Sequence, residues 1–354
     1  MTTFTTRYKK LNTKQREAVD MIDGPLLVIA GPGTGKTELL SMRAANILRK
    51  TDTLPESILC LTFTESGADA MRERLATIIG PEAYKVAIHT FHSFGSEVIN
   101  QNRAYFYQGA EFSPTDELGS YAIIRSILDE LDYTNPLASK KNGEYTYLYD
   151  ISRSISELKQ AGLSSDELLQ IINANETLLD AVEKPLAEIF SHRMSTSMVE
   201  QLSPIAQQAA QASTPILPPT ITPLSDSFAL SLARAIDETQ ALGKTTPLTA
   251  WRKSWLEQDD TGNYVFKDRK RFIKLRALSH VYFSYLTRME QASLYDYADM
   301  ILDVIHGMET QSELKFNLQE KYQYIMVDEF QDTNLAQLRV LFGLTDNPVN
   351  EGRP

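Results

Sequence analysis

The sequence between residues 30 and 37 reads Ala30-Gly31-Pro32-Gly33-Thr34-Gly35-Lys36-Thr37. It follows the apolar run Leu26-Leu27-Val28-Ile29, which predicts a buried strand, and precedes a stretch with helical spacing from Glu38 to Leu48. Glycines let a backbone close around an anion, and the N–H groups at a helix start point toward it. The order strand, glycine-rich loop, Lys-Thr and helix therefore predicts a phosphate-binding loop in a parallel α/β sheet.

The chemistry of this loop indicates a nucleoside triphosphate as ligand. Lysine at the position of Lys36 reaches the β- and γ-phosphates, and the hydroxyl of Thr37 is a magnesium ligand. The strict pattern has glycine six residues before the lysine, where this chain has Ala30. The alternative is a glycine-rich turn that binds no ligand. We predict that the phosphates are bound by Ala30, Gly31, Pro32, Gly33, Thr34, Gly35, Lys36 and Thr37.

A second signal follows the apolar run Tyr322–Val327, which predicts another buried strand. Carboxylates at the carboxyl end of a parallel strand face the ligand crevice of an open sheet. We predict that Asp328 is a magnesium ligand and that Glu329 is the general base for the attacking water. Gln331 is a candidate sensor of the γ-phosphate. The alternative is an acidic turn before a helix capped by Thr333 or Asn334, and the two interpretations are compatible.

Between these signals the pattern changes from α/β to helical. Buried runs at Ser57–Thr62 and Lys85–His89, with a helical stretch at Ser66–Ile79, extend the α/β pattern to about residue 100. From about Gln101 to Gln291 helical spacing dominates, interrupted at Ser203–Asp226 by a long loop rich in Ala, Gln, Ser, Thr and Pro. The predicted helices are Leu118–Leu131, Ile151–Ala161, Ser165–Ile172, Glu176–Met194, Lys267–Arg288 and, after the last strand, Asn334–Leu344. This predicts one α/β sheet domain interrupted by a helical insertion.

Composition bounds the class of protein. The 354 residues are 42% hydrophobic and 23% charged, with a formal net charge of −11. No apolar run approaches the roughly 20 residues that span a bilayer, and a signal peptide is not apparent, so we expect no membrane association. The chain has a single cysteine, Cys60, which we expect to be a small buried core residue. A lone cysteine forms no disulfide framework, so we expect a protein of the reducing cytoplasm. The acidic balance argues against coating nucleic acid by bulk charge, but it allows a localised DNA track.

Three further segments complete a pattern. They are Leu11–Ala18 (LNTKQREA), Leu61–Thr64 with Ala70–Leu75, and His89–Phe94 (HTFHSF). With the phosphate loop and the acidic strand end, they resemble the N-terminal half of a UvrD/Rep-type superfamily I DNA helicase. The resemblance implies a RecA-like ATP-binding domain 1A, formed by residues 1–108 and 286–354, interrupted by a helical domain 1B at residues 109–285.

The resemblance also implies roles for individual residues. Gln15 of the first segment would read adenine, because an amide matches the adjacent donor and acceptor of that base. The other two segments resemble motifs along a single-stranded DNA path, where rings stack on bases and hydroxyls reach phosphates. The candidates for stacking on bases or lining the path are Phe63 and Phe91, and the polar candidates are Thr64, Thr90 and His92. For each phenylalanine the alternative is a core position.

The implied activity is ATP-dependent DNA unwinding or translocation of 3′-to-5′ polarity, with ATP and Mg²⁺ as cofactors. Its DNA partner is a single strand or a junction of single- and double-stranded DNA, in repair, replication or recombination. The second RecA-like motor domain and the Gly-Asp-x-x-Gln motif do not appear before the chain stops at Asn350–Pro354. We therefore expect a monomeric fragment that binds ATP weakly, hydrolyses it slowly at best and cannot unwind DNA.

Two departures from the family pattern affect single contacts. Many relatives have an arginine against adenine where this chain has Glu38, and Asn-Lys where it has Glu65-Ser66. Two other segments extend the resemblance, namely Ser293–Ile301, which is acidic and aromatic, and Ile151–Ser165, which includes Lys159 and resembles part of domain 1B.

Two other functions remain open. One is a non-catalytic DNA-binding or partner-docking module, supported by a basic cluster of Lys267, Arg269, Lys270, Arg271, Lys274 and Arg276. Such a cluster is more often a solvated helix face. The other is a P-loop ATPase with no nucleic-acid role, which the acidic composition would suit.

Overall fold

The computed structural model describes residues 3–31, 33–106, 112–212, 221–267 and 269–346, including all their side chains except Lys270 and Tyr297. Pro32 of the phosphate loop, residues 213–220 of the predicted long loop and the terminal segment Asn350–Pro354 lie outside this part of the chain.

The helices and strands are as follows in chain order. The helices are α1 (Thr3–Tyr8), α2 (Thr13–Asp20), α3 (Lys36–Lys50), α4 (Glu65–Ile79), α5 (Phe91–Gln101), α6 (Glu117–Glu130), α7 (Leu148–Gln160), α8 (Ser165–Ser191), α9 (Met198–Ala210), α10 (Leu224–Leu242), α11 (Thr246–Trp255), α12 (Arg269–Gln291), α13 (Tyr297–Thr310), α14 (Ser312–Lys321) and α15 (Leu335–Thr345). The strands are β1 (Ile58–Thr62), β2 (Ala87–Thr90), β3 (Ser113–Pro114), β4 (Lys140–Lys141), β5 (Glu144–Tyr145), β6 (Leu256–Gln258), β7 (Tyr264–Phe266), β8 (Leu294–Tyr295) and β9 (Tyr324–Val327).

The central sheet is parallel and has the order β2-β1-β9. Leu61 of β1 lies opposite His89 of β2 on one side and Val327 of β9 on the other. The three predicted strands at Ser57–Thr62, Lys85–His89 and Tyr322–Val327 are therefore confirmed, with boundaries shifted by one or two residues. Parallel strands pair only through crossover connections, which helices supply here, so the predicted α/β class is confirmed.

Each face of the sheet packs against its own helices. Alternate residues of β1 divide between two cores: Ile58 and Cys60 pack with α1 to α4, whereas Leu59 and Leu61 pack with α5 and α13 to α15. Burial raises the pKa of the Cys60 thiol to about 12, so the side chain is a neutral core residue as expected. The result is three layers, helix, sheet and helix, in the first of two compact units.

That first unit comprises residues 1–115, 159–162 and 293–354, and the second comprises residues 116–158 and 163–292. The second unit is helical, as predicted from residue 101 onward. Its largest core is formed by α8 to α11 and includes Phe228 and Trp251, whose rings meet edge to face at 5.5 Å. Two short antiparallel pairs, β4 with β5 and β6 with β7, were not predicted because strands of two or three residues leave no periodic signal.

The predicted strand at Leu26–Ile29 is wrong. This segment is irregular and its side chains face solvent, with Ile29 92% exposed. Two side chains of α3 bind the carboxyl end of α2 and not the segment itself: Asn46 Nδ2 donates to Val19 O at 2.8 Å, and Arg43 donates to Ala18 O at 2.7 Å. Residues 21–31, after α2, are irregular. An apolar run forms a strand only if another strand pairs with it, and none of the described residues does so.

The long loop predicted at Ser203–Asp226 is also partly wrong. Residues 203–210 continue α9, and α10 begins at Leu224. Alanine and glutamine are good helix formers, which favours this helix although Pro204 lies inside it. The two helices predicted at Ser165–Ile172 and Glu176–Met194 form the single helix α8, because nothing between them breaks the apolar face. No helix within the described residues is long and apolar enough to cross a bilayer.

Candidate nucleotide site and nucleic-acid surface

The glycine-rich loop has the backbone that an anion site needs. Gly33 and Gly35 have φ angles of 73° and 87°, in the left-handed region that favours glycine. Gly35 is the N-cap of α3 and supplies no side chain to the first N–H groups of the helix. Thr34 Oγ1 donates to Gly31 O at 2.7 Å and closes the turn. The start of α3 therefore presents backbone donors and a helix dipole suited to phosphate.

Two pairs of side chains join this loop to the end of β9. Lys36 Nζ lies 2.9 Å from Glu329 Oε2, and Thr37 Oγ1 lies 3.3 Å from Asp328 Oδ2. The position of Asp328 is set by the sheet, because its N–H donates to Leu61 O at 2.8 Å and so extends the pairing of β9 with β1. Four residues predicted from two distant segments thus form one cluster of a cation, a hydroxyl and two carboxylates.

Glu329 has the least common backbone of this cluster. Its φ of 49° lies in the left-handed region, which a non-glycine residue seldom adopts and which is concentrated at functional sites. Gln331 Nε2 donates to Glu329 Oε2 at 2.6 Å. This hydrogen bond lowers the pKa of Glu329 most, and the contact with the Lys36 ammonium lowers it further. The contact between Lys36 and Glu329 also raises the pKa of Lys36. Both groups are charged at neutral pH, and Gln331 lies beside the carboxylate.

Gln15 lies at the phosphate loop, where its amide makes two contacts. Its Nε2 donates to Thr34 O at 3.1 Å, and its Oε1 accepts from the backbone N–H of Asn12 at 2.9 Å. The second contact belongs to a capping box that starts α2. The amide nitrogen carries a second hydrogen, so Gln15 retains a donor while it links α2 to the loop.

Glu38 pairs with an arginine from another part of the chain. Arg7 Nη1 of α1 lies 2.8 Å from Glu38 Oε1 and 3.0 Å from Oε2. Gly35 lies between Glu38 and Gln15, since a Cβ on that glycine would be within about 4 Å of each side chain. A guanidinium therefore lies beside position 38, supplied by Arg7. Local sequence carried no signal for this pair, because 31 residues separate its members.

The candidates at the end of β1 lie at the surface. Phe63 is 53% exposed. Thr64 is the N-cap of α4, and its hydroxyl accepts from Gly67 N at 3.1 Å. The Phe63 ring is thus accessible for stacking, whereas Thr64 has a structural role as well.

The candidates at the end of β2 differ from one another. Thr90 is buried, N-caps α5 and donates to Glu65 Oε1 at 2.8 Å, so its hydroxyl is occupied. Phe91 is 2% exposed and packs in the core with Leu59, which corresponds to the core alternative for this residue. The aromatic residue follows the strand end directly, and α5 turns it inward.

His92 remains accessible. Its side chain retains exposed surface, although packing around the ring lowers the pKa of the imidazole, against the opposing effect of the Asp296 and Glu65 carboxylates. At neutral pH the ring is neutral, so it offers hydrogen bonding rather than a fixed positive charge.

The basic cluster of the second unit is largely engaged with neighbouring side chains. Arg269 pairs with Asp180 and Glu183, and Arg276 pairs with Glu176. All three carboxylates belong to α8. Lys274 Nζ donates to the Tyr147 hydroxyl at 2.9 Å, and Lys267 donates to a backbone carbonyl. Arg271 is exposed, and the side chain of Lys270 lies outside the part of the chain that the structure describes. Pairing with carboxylates removes much of the positive field that would attract phosphates.

Known proteins share sequence with this chain. Residues 11–350 match the family model described as UvrD/REP helicase N-terminal domain. ATP-dependent DNA helicase PcrA of Bacillus subtilis (strain 168) is 36% identical over 150 residues, which cover 42% of this chain and 20% of that protein. PcrA of Staphylococcus aureus (strain Mu50 / ATCC 700699) is 32% identical over 149 residues, with the same coverage of 42% and 20%.

The matched segment thus spans about a fifth of the length of these curated relatives. The family model, in contrast, covers almost the whole of this chain, including both halves of the cluster at Lys36 and Glu329. The chain belongs to the UvrD/REP helicase N-terminal domain family.

Proposed function

We propose that this chain is the nucleotide-binding motor half of an ATP-dependent DNA helicase or translocase of 3′-to-5′ polarity. Residues 1–108 and 286–354 form a RecA-like domain and residues 109–285 a helical insertion. The observation that carries this proposal is the meeting of Lys36 and Thr37 with Asp328 and Glu329 at one edge of a parallel sheet. That combination supplies a phosphate cation, oxygen ligands for a metal and a general base.

The donors present fit Mg²⁺ and a triphosphate. Magnesium prefers oxygen ligands and is usually held by one or two protein groups together with phosphate oxygens and water. The Thr37 hydroxyl and the Asp328 carboxylate are 3.3 Å apart and provide such groups. When bound, the ion would neutralise charge that develops on the phosphates during transfer.

The residues around the cation site have separate roles. Lys36 binds the β- and γ-phosphates, for which it exchanges its present partner Glu329. Glu329, whose pKa is lowered, is ionised at neutral pH and accepts a proton from the attacking water. Gln331, 2.6 Å from that carboxylate, orients it and senses the γ-phosphate.

The base of the nucleotide is assigned to Gln15 and its surroundings. Gln15 is tied to the phosphate loop through Thr34 O, so an adenine bound by the amide stays close to the phosphates bound at Lys36. An amide reads adenine through one donor and one acceptor. Binding of adenine at both atoms requires Gln15 Oε1 to exchange the Asn12 N–H for the base.

The DNA strand is assigned to the edge of the sheet where β1 and β2 end. Thr62 lies opposite Thr90 in the parallel register, so β1 and β2 end side by side. The candidates at the two strand ends, Phe63-Thr64 and Thr90 to His92, are therefore neighbours. Asp328 follows β9 at the same edge. Phe63 supplies a stacking face, and Thr64 and His92 supply polar contacts. Nucleotide and DNA would therefore contact segments that leave adjacent strands, which suits coupling between them.

Binding measurements separate this function from its alternatives. We expect fluorescence anisotropy to show that the 354-residue chain binds a labelled oligothymidylate with an affinity that falls as salt rises. We also expect Mg²⁺ with a non-hydrolysable ATP analogue to change that affinity, and the oligonucleotide to change the analogue's affinity by the same factor.

Each alternative gives a different result. Salt-dependent DNA binding without any nucleotide binding would indicate a DNA-binding module. Nucleotide binding without DNA binding would indicate a P-loop ATPase with no nucleic-acid role. Either outcome contradicts the proposal, and so does binding of both ligands with no effect of one on the other.

A further inference from the structure

Lys159 is a lysine in the core of the first unit. It is 1% exposed, and its Nζ lies 2.6 Å from Asp296 Oδ2 and 2.6 Å from Asp299 Oδ1. A buried ammonium costs much free energy unless it is paired and hydrogen-bonded, and removing one partner of such a cluster is strongly destabilising. The sequence contains a signal for this burial, because Lys159 follows Ile151 and Ile155 at four-residue spacing and so lies on the apolar face of α7.

Each of the two carboxylates also forms the start of α13. Asp296 Oδ1 accepts from the N–H groups of Ala298 and Asp299 at 2.9 Å, and Asp299 Oδ2 accepts from Asp296 N at 2.9 Å. This is a reciprocal capping box in which one oxygen of each carboxylate serves the helix and the other serves Lys159. The ammonium therefore fixes the first turn of α13.

The first turn of α13 lies against α5, which carries His92. At Gly95 of α5 a Cβ would be 3.5 Å from Met300 O and from Ile301 Cδ1, so the two helices approach closely. The Asp296 carboxylate is near enough to His92 to act on its pKa. A shift of the α13 start would thus move or repack the turn that presents His92.

The same short segment is also fixed to α15. Arg339 Nη1 donates to Gly162 O at 2.6 Å, and Arg339 Nη2 pairs with Glu309 Oε2 at 2.7 Å. Gly162 has a φ of 71°, and a Cβ there would be 3.1 Å from Ala336 Cα. Residues 159–162 therefore contact α13 at one end and, at the other, the helix that follows Asp328 to Gln331.

We propose that Lys159 is a positioning residue for DNA binding, because its ion pairs with Asp296 and Asp299 hold α13 against the turn that presents His92. This inference rests on the proposed DNA-binding function. Lys159 itself is buried and would not touch the DNA. Its loss should weaken DNA binding through displacement of α5 and not through loss of a phosphate contact.

The test compares Lys159→Met with Lys50→Met in the 354-residue chain. Lys50 ends α3 in the same unit and pairs with Asp20 at the surface, so its variant removes the same charge. We expect Lys159→Met to weaken oligothymidylate binding about tenfold, the effect of displacing roughly one stacked base or its equivalent. Binding of the Mg²⁺–nucleotide analogue should stay within about twofold, and Lys50→Met should change neither affinity by more than that factor.

The dependence of DNA affinity on salt distinguishes positioning from contact. Each lysine contact to a single-stranded phosphate contributes about 0.7 to the slope of log K against log salt. We expect Lys159→Met to keep the slope of the unmodified chain. A slope lowered by that amount, or an unchanged DNA affinity, would overturn the inference.

A second variant addresses folding. Lys159→Met combined with Asp296→Asn and Asp299→Asn removes the unpaired charges but keeps oxygen acceptors for the capping box. It should recover thermal stability, because no buried charge is left unpaired, whereas DNA affinity should stay lowered, because the ion pairs that hold α13 are absent. Recovery of DNA affinity together with stability would contradict a positioning role for these ion pairs. If the unmodified chain binds no DNA, the proposed function fails. Amide hydrogen exchange then tests whether Lys159 holds α13 and the start of α5 in place. Unchanged protection of residues 91–94 and 298–299 in Lys159→Met would overturn the positioning role.

Discussion

Lys36 Nζ lies 2.9 Å from Glu329 Oε2, although 293 positions separate the two residues in the sequence. The contact joins the first turn of α3 to the residue after Asp328 and so brings phosphate loop and acidic strand end into one site. A γ-phosphate carries more negative charge than a carboxylate and competes for the ammonium. Its binding would therefore release Glu329 toward the water that it deprotonates, which links nucleotide binding to the availability of the base.

The role of Glu329 is tested by Glu329→Gln. The amide has nearly the same shape and still accepts a hydrogen bond from Gln331, but it cannot take up a proton. In a protein that carries both motor domains, we expect affinity for the Mg²⁺–ATP analogue to stay within about threefold, whereas ATP turnover falls by about 10²- to 10⁴-fold, as for loss of a general base. Phosphate release measures turnover, and equal turnover in the variant would remove Glu329 from this role.

The two phenylalanines of the DNA motifs should respond in opposite ways. Phe63→Ala removes an exposed ring, so we expect stability to change little and oligothymidylate affinity to fall about tenfold, since base stacking contributes roughly 1–3 kcal/mol. Phe91→Ala removes a buried ring and should lower the free energy of unfolding by about 3–5 kcal/mol. Urea unfolding and anisotropy measure the two effects. A Phe63→Ala variant with unchanged DNA affinity would place the strand elsewhere.

Glu65 places a negative charge beside the proposed DNA path and occupies the Thr90 hydroxyl at 2.8 Å. The isosteric variant Glu65→Gln removes the charge but keeps an acceptor for Thr90. We expect oligothymidylate affinity to rise about two- to fivefold at low salt, with the gain shrinking as salt screens the charge. An equal gain from Glu82→Gln, a variant of an exposed glutamate at the amino end of β2, would show that net charge alone is responsible.

Stability should fall on the acid side of neutrality. Packing lowers the pKa of His92 and of His89 below the ordinary value of about 6.5, so the unfolded chain takes up these protons first as the pH falls. The free energy of unfolding is therefore highest above that pH and decreases through it, until the folded-state pKa values are reached. Urea unfolding at pH 7.5 and pH 5.5 measures the difference. His92→Gln should reduce it, with His89 supplying the rest; an unchanged difference would contradict a lowered pKa for His92.

The sequence predicted the parts of the fold that depend on local patterns. Buried runs located β1, β2 and β9, and Asn334, proposed as a cap, does cap α15 with Gln337 as its capping-box partner. The strand expected at Leu26–Ile29 failed because strand formation depends on a partner, which no local pattern specifies. The sequence left two positions open for Phe91, in the DNA path or in the core, for a similar reason, since the turn into α5 decides which way the ring points.

For the site, residue types at fixed spacing identified Lys36, Thr37, Asp328 and Glu329, which the fold does bring together. What the sequence could not reveal are pairings between distant segments. Arg7 with Glu38 joins α1 to α3, and Lys159 with Asp296 joins segments 137 residues apart. Such ion pairs depend on the tertiary arrangement of helices, so they become visible only in three dimensions.

The central claim is that Lys36 binds the phosphates of a magnesium nucleotide, and titration with a fluorescent ATP analogue in the presence of Mg²⁺ tests it most directly. We expect Lys36→Ala to lower the affinity about 10- to 100-fold, the loss expected for a charged hydrogen bond of about 1.5–3 kcal/mol. Lys50→Ala, at the other end of α3, should bind as the unmodified chain does. An unchanged affinity in Lys36→Ala would contradict the account.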